Sequence, residues 1–155
     1  MPRILFVCLG NICRSPAAEG IMRSVVGDEP GWTIDSAGTG RYHIGDLPDR
    51  RMRVHARSRG LELDHRCRQV RADDFRDFDL VIGMDDANIS DLRDMCPDPA
   101  LEHKIHRMSE WFGPSARYDY VPDPYYEGSE GFELVLDLLE DGCRNLYDSL
   151  TSKKQ

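Results

Sequence analysis

The feature that most constrains this chain is a change of pattern within its first twenty-five residues. Arg3-Ile-Leu-Phe-Val-Cys8 is a short, continuous apolar run with no polar alternation, bounded by turn chemistry. Such a run suits a strand covered on both faces, as in a parallel sheet. After a Gly-containing loop, Ser15-Pro16 begin a helical pattern with Ala17, Ala18, Ile21, Met22 and Val25 on one side. Ser as a cap and Pro in the first turn fit a helix start there. A buried strand that passes straight into a helix is the opening of a βαβ unit, which needs a parallel partner strand.

The rest of the chain repeats that alternation. Trp32–Ser36 reads as a second strand, Ala37–Leu47 as a Gly-rich loop, and Pro48 to about Arg59 as a helix closed by Gly60. Asp79–Gly83 is a third strand, followed by a helix from Asp86 to Met95 that stops before Cys96-Pro97. Lys104–Arg107 is a weak fourth strand. Phe132, Val135, Leu136, Leu139, Cys143, Leu146 and Leu150 recur at three and four, giving an amphipathic C-terminal helix. With no linker in evidence, residues 1–155 are expected to form a single doubly wound α/β domain, Rossmann-like, with a four-stranded parallel sheet flanked by helices. Ligands bind such sheets beyond the carboxyl ends of the strands. The loop at Cys8–Ser15 leaves one of those ends, and so do the Ser36 loop and Met84-Asp85.

The first of these loops carries the chemistry. Cys8-Leu-Gly-Asn-Ile-Cys-Arg14-Ser15 sets a cysteine and an arginine six positions apart, between a buried strand and a helix start. A loop in that place turns successive backbone N–H groups of Leu9, Gly10, Asn11, Ile12 and Cys13 into one concave nest, and the helix N-terminus adds partial positive charge. Donors that bind a tetrahedral dianion also favour an anionic nucleophile. Arg14 supplies a planar fork for two phosphate oxygens. Taken singly, each residue has a plainer account. A cysteine closing a buried strand is more often inert core, and an arginine at a helix start is often only solvated. The strand before the loop and the helix after it are the context that tips the reading towards function. No G-x4-G-K-[ST] sequence is present, so a Walker-type phosphate loop is excluded.

Charge and cysteine usage remove other classes. Twenty basic against twenty-eight acidic side chains leave a net charge of −8, which no generic nucleic-acid binder carries. The distribution is uneven. Residues 1–71 hold twelve basic and eight acidic groups, whereas residues 72–155 hold eight and twenty. Nine arginines sit between Arg41 and Arg71 with only four acids, a local basic surface whose nucleic-acid reading is weak because no recognised module surrounds it. No apolar run reaches membrane-spanning length and no signal peptide is visible, so a cytoplasmic protein is expected. The five cysteines are odd in number and lack paired C-x-x-C spacing, against a metal-stapled or disulfide-framework fold.

The chain resembles the low-molecular-weight protein tyrosine phosphatase family. The resemblance runs over nearly its whole length: Val7-Cys-Leu-Gly-Asn-Ile-Cys-Arg-Ser-Pro16, Asp35-Ser-Ala37, Phe78-Asp-Leu-Val-Ile-Gly-Met-Asp85 with Asn88, and Val121-Pro-Asp-Pro-Tyr-Tyr126. It implies a phosphotyrosine hydrolase that works through a phosphocysteine on Cys8, with Arg14 holding the phosphoryl oxygens. Asp123 is implied as the acid that protonates the leaving phenolate and then helps activate water; on residue type alone, Asp-Pro is an ordinary turn. The resemblance further implies a supporting network of Asn11, Ser15, Ser36 and His65, an orienting role for Asp85 on Arg14, and cleft walls from Tyr42, Tyr125 and Tyr126. It implies that Cys13 closes a reversible disulfide with Cys8 on oxidation, where the plainer account is a space-filling loop residue. No metal and no cofactor are implied. The expected partners are tyrosine-phosphorylated proteins or peptides, with inorganic phosphate as product, no nucleic acid and no membrane, and a monomer as the default state.

Two rivals share parts of this pattern. A thiol-dependent arsenate reductase uses the same loop but needs two further, closely spaced cysteines after the third strand, where this chain has only Cys96. A non-catalytic phosphotyrosine-binding module has no use for both Cys8 and Asp123.

Overall fold

In the computed structural model, which describes residues 2–124 and 128–152, one parallel sheet carries the strand order β2-β1-β3-β4. Its strands are β1 (Arg3–Cys8), β2 (Thr33–Gly38), β3 (Leu80–Gly83) and β4 (Ile105–Arg107). The helices are α1 (Arg14–Val26), α2 (Arg50–Arg57), α3 (Asp74–Asp77), α4 (Asp86–Met95) and α5 (Ser129–Ser152), with 3-10 turns at Pro99–Lys104 and Met108–Trp111.

The continuous apolar run of β1 is explained by its place. It lies between β2 and β3, paired in parallel with both. Ile4, Leu5, Phe6 and Val7 are all fully buried, because side chains alternate between two separate cores. Ile4 and Phe6 join α1 and α5 through Ala17, Met22, Phe132, Val135, Leu139 and Leu146. Leu5 and Val7 pack on the other face with Val70, Phe75, Phe78 and Leu92. Each such side chain contributes roughly 1.5–3 kcal/mol by leaving water. Sheet register sets Cys8 opposite Gly38 and Val7 opposite Gly83, so the loops leaving β1, β2 and β3 emerge side by side at one edge.

Three expectations need correction. The N-cap of α1 is Cys13, with no side-chain cap; Ser15 stands inside the first turn, with its hydroxyl 3.0 Å from the Cys8 sulfur. The second strand continues through Ala37 and Gly38, which pair with Val7 and Cys8 rather than opening a loop. The second helix is shorter than Pro48–Arg59, because Asp49 caps it by accepting from the N–H groups of Arg51 (2.8 Å) and Met52 (3.4 Å). Helix α3 and the two 3-10 turns carry no periodic signal long enough to read. By contrast, α4 spans the expected residues, and Gly60 follows α2 with φ +82°, the left-handed conformation that glycine permits.

No described helix is long and apolar enough to cross a membrane.

Candidate active site

The loop between β1 and α1 is shaped by what holds its carbonyls. Cys8 C=O accepts from Thr39 N–H (3.0 Å), Leu9 C=O from Gly40 N–H (2.9 Å), and Ile12 C=O from Asp49 N–H (2.7 Å). Cys13 C=O accepts from Ala17 N–H (3.2 Å) as α1 begins. Asn11 C=O accepts from the thiol of Cys67 at 2.8 Å. Peptides are planar, and the described ones are all trans, so each N–H that follows a held carbonyl points the opposite way. The N–H groups of Leu9, Gly10, Ile12, Cys13 and Arg14 are thereby aimed away from these donors. Cys8, Leu9, Gly10, Ile12, Cys13 and Arg14 line one cleft of about 270 Å³ with Tyr42, His43 and Asp123. Gly38 permits the loop to pass this close to β2: a Cβ there would lie 2.7 Å from Leu9 O and 3.1 Å from Asn11 N.

Arg14 is held rather than solvated. Its side chain is 3% exposed, with Nη1 donating to Asp85 Oδ2 (2.7 Å) and to Val121 C=O (2.9 Å). Its Nη2 lies 3.8 Å from Asp123 Oδ2. Burial works against the guanidinium charge, but Cys8, Asp85 and Asp123 more than offset it, so Arg14 sits above the ordinary arginine range. Asp85 fills both roles open to it: one carboxylate oxygen holds Arg14 and the other caps α4 by accepting from Asn88 N–H at 2.9 Å. The Asp123 segment is tied to β3 by Val121 N–H donating to Met84 C=O at 2.8 Å.

Behind the loop, a chain of hydrogen bonds reaches Cys8. Asn11, in the left-handed region at φ +56°, accepts Arg68 N–H on its Oδ1 (3.0 Å). That orientation turns Nδ2 towards Ser15 Oγ (2.8 Å) and Ser36 Oγ (3.0 Å). Ser36 donates onward to Glu19 Oε1 (2.7 Å). Ser15 Oγ accepts from Asn11 and lies 3.0 Å from the Cys8 sulfur and 3.4 Å from the Ala37 carbonyl, so its one proton has both within reach. His65 joins this network through Nδ1, 3.4 Å from both Glu19 and Asp35, and its Nε2 is buried without a hydrogen-bond partner among the described residues.

Of the residues singled out in the sequence, the cleft collects Cys8, Leu9, Gly10, Ile12, Cys13, Arg14, Asp123 and the 80% exposed Tyr42, whereas Asn11 and Ser15 lie outside its lining. The network collects Asn11, Ser15, Ser36 and His65, and Asp85 braces Arg14. Tyr125 and Tyr126 lie outside the described residues. Cys13 is buried, and burial, helped by Asp49 and Cys8, pushes its thiol well up.

Four contributors were not anticipated. Glu19 is a buried acid on the apolar side of α1, an anomaly visible in the sequence. Arg68 fixes Asn11 with its N–H, while its guanidinium binds Asp35 and Asp74. His43, which lines the cleft, and Cys67 offered no pattern to read.

Glu19, Asp35 and His65 are also the one described group with donor atoms mutually within 4.8 Å, as a metal would need. Their carboxylates are already engaged by Ser36, Arg23 and Arg68, so the set fits a protein-only network better than an ion. Four arginines of the basic stretch are paired internally. Arg51 pairs with Asp49, Arg57 with Glu62, Arg59 with Glu133, Asp137 and Glu140, and Arg68 with Asp35 and Asp74.

A family model described as low molecular weight phosphotyrosine protein phosphatase matches residues 3–155. A Synechocystis sequence is 46% identical over 155 residues, covering 96% of each chain. A low molecular weight protein-tyrosine-phosphatase of Bacillus subtilis is 43% identical, covering 100% of this chain and 99% of its own. The crystal structure of a protein tyrosine phosphatase from Entamoeba histolytica with Hepes in the active site superposes with a TM-score of 0.94 at 43% identity, covering all of both chains.

Proposed function

Because the chain belongs to the low molecular weight phosphotyrosine protein phosphatase family, we propose that it hydrolyses phosphotyrosine in two displacements at Cys8. In the first, the Cys8 sulfur attacks phosphorus, the bond from phosphorus to the phenolic oxygen breaks, and the Asp123 carboxyl gives its proton to that oxygen. In the second, Asp123 takes a proton from water as the water attacks phosphorus. The S–P bond then breaks and inorganic phosphate leaves. Dividing one displacement into two lowers each barrier, and the acid of the first step is the base of the second. The inward N–H groups and the Arg14 guanidinium meet the charge on the phosphoryl oxygens.

One observation carries this reading: Cys8, Arg14 and Asp123 line one cleft, with the carbonyls of the loop between Cys8 and Arg14 held by donors elsewhere. The depth supports the aryl ester. Cys8 is 3% exposed in a cleft that the exposed Leu9 and Tyr42 also line, which favours a long aryl ester over a shorter phosphoserine. The expected result is metal-independent release of phosphate from a phosphotyrosine peptide in EDTA, with phosphoserine peptide turned over far more slowly. Equal rates on the two, or no turnover, would overturn the reading.

The reductase alternative loses support. The ten residues of α4 separate Cys96 from the β3 end by about 15 Å of helix, and the Cys96 thiol donates to Asp98 C=O.

Cys13 is assigned the resolving role. Peroxide converts the Cys8 sulfur to a sulfenic acid, the Cys13 sulfur displaces hydroxide from it, and water and a disulfide result. Peroxide is expected to inactivate the enzyme and added thiol to restore it, whereas Cys13→Ala should recover only partly. Full recovery in that variant would remove Cys13 from the role.

A further inference from the structure

Of the five loop carbonyls that are held from outside, four are held by backbone N–H groups, of Thr39, Gly40, Asp49 and Ala17. Those donors are present whatever the side chains. The fifth, Asn11 C=O, is held by a side chain, the Cys67 thiol at 2.8 Å. This is also the peptide that most needs holding, since Asn11 is the described non-glycine residue with positive φ.

We propose that Cys67 is a positioning residue: its S–H fixes the Asn11–Ile12 peptide so that the Ile12 N–H faces the phosphoryl group. The proposal rests on the phosphatase reading above.

Cys67 is itself anchored. Its N–H donates to Asp46 C=O (2.8 Å) and its C=O accepts from Gly45 N–H (2.8 Å), so its backbone is pinned to the loop before α2. The next residue, Arg68, gives its N–H to the side-chain oxygen of the same Asn11. Consecutive residues thus grip the main chain and the side chain of Asn11 together. Burial, with Asp46 and Cys8, pushes the Cys67 thiol up to about 11, so it stays protonated and able to donate at neutral pH. A thiolate in that place would face a carbonyl oxygen and release the peptide.

The experiment compares wild type with Cys67→Ala and Cys67→Ser, using inorganic phosphate as the probe. Its competitive inhibition of p-nitrophenyl phosphate hydrolysis is measured together with the Ile12 amide proton shift at saturating phosphate. In Cys67→Ala the inhibition constant is expected to rise roughly three- to tenfold, the range one net hydrogen bond carries, and the downfield shift of Ile12 N–H to shrink while those of Leu9 and Gly10 persist. Serine keeps a donor within reach and should restore both to near wild type. Cys67→Val, which lacks the donor but fills the space, repeats the measurement if alanine leaves an unstable cavity. Unchanged inhibition and an unchanged Ile12 shift in the donorless variants would overturn the proposal, as would a serine variant no better than alanine. A wild-type protein that phosphate neither inhibits nor shifts at any loop amide would overturn the phosphatase reading itself.

Discussion

Cys8→Ser is expected to lower p-nitrophenyl phosphate hydrolysis in EDTA by about 10⁴-fold or more, the order seen when a catalytic nucleophile is deleted. The substitution changes one atom, and the cradle does not depend on that atom. The carbonyls of Cys8, Leu9, Asn11, Ile12 and Cys13 are held by donors elsewhere, and Arg14 by Asp85 and Val121. Inorganic phosphate should therefore still bind, within a few-fold of wild type. Turnover should vanish because the neighbour 3.0 Å from the attacking atom is Ser15 Oγ, a hydroxyl. A hydroxyl cannot take the proton that an alcohol nucleophile must lose, whereas cysteine attacks as the thiolate, which has no proton left to lose. Binding without turnover is the signature sought. A Cys8→Ser variant with full activity would remove Cys8 from the chemistry, and loss of phosphate binding together with turnover would mean the loop had collapsed.

How much of this was legible in the sequence divides along a physical line. Elements whose residues report their own burial were readable. β1 is apolar at every position because both its faces are covered, and α5 repeats at three and four because one face is. The nucleophile loop was readable because strand, loop and helix are contiguous. Residues that act through distant partners were not. Cys67 and Arg68 meet Asn11 across 56 and 57 positions, and nothing at either end of such a contact marks the other. Ser15 carries two readings in the sequence, helix cap and donor to the Cys8 sulfur; the structure places its Oγ 3.0 Å from that sulfur and gives the cap position to Cys13. What the sequence leaves out is that Asn11, turned by Arg68 N–H, donates to the same Ser15 oxygen and so ties the Cys8 contact to a distant residue. The arginines between Arg41 and Arg71 read as a basic surface because the acids that hold Arg59 and Arg68 lie elsewhere in the chain. Arg59 alone meets three, all on α5. The charge asymmetry of the chain is in part ion pairing between its two halves.

Asp123→Ala should separate two substrates. On a phosphotyrosine peptide the leaving phenolate needs a proton, and removing its donor is expected to reduce kcat by about 10²–10⁴-fold, the usual contribution of general acid catalysis. On p-nitrophenyl phosphate the leaving group departs readily without one, so the loss should be much smaller, on the order of tenfold. The geometry permits this separation. The Asp123 side chain is 46% exposed at the cleft, and its 3.8 Å approach to Arg14 is long beside the 2.7 Å bond from Arg14 to Asp85. Arg14 therefore keeps its main anchors, Asp85 and the Val121 carbonyl, when Asp123 is truncated, and phosphate inhibition should change only a few-fold. Asp123→Asn, which keeps the shape without an acid, should behave like alanine on the peptide. Equal losses on both substrates would identify Asp123 as a brace for Arg14 rather than the proton donor. The matched control is Asp85→Asn: because Asp85 braces Arg14 and meets no leaving group, its cost should be similar on the two substrates.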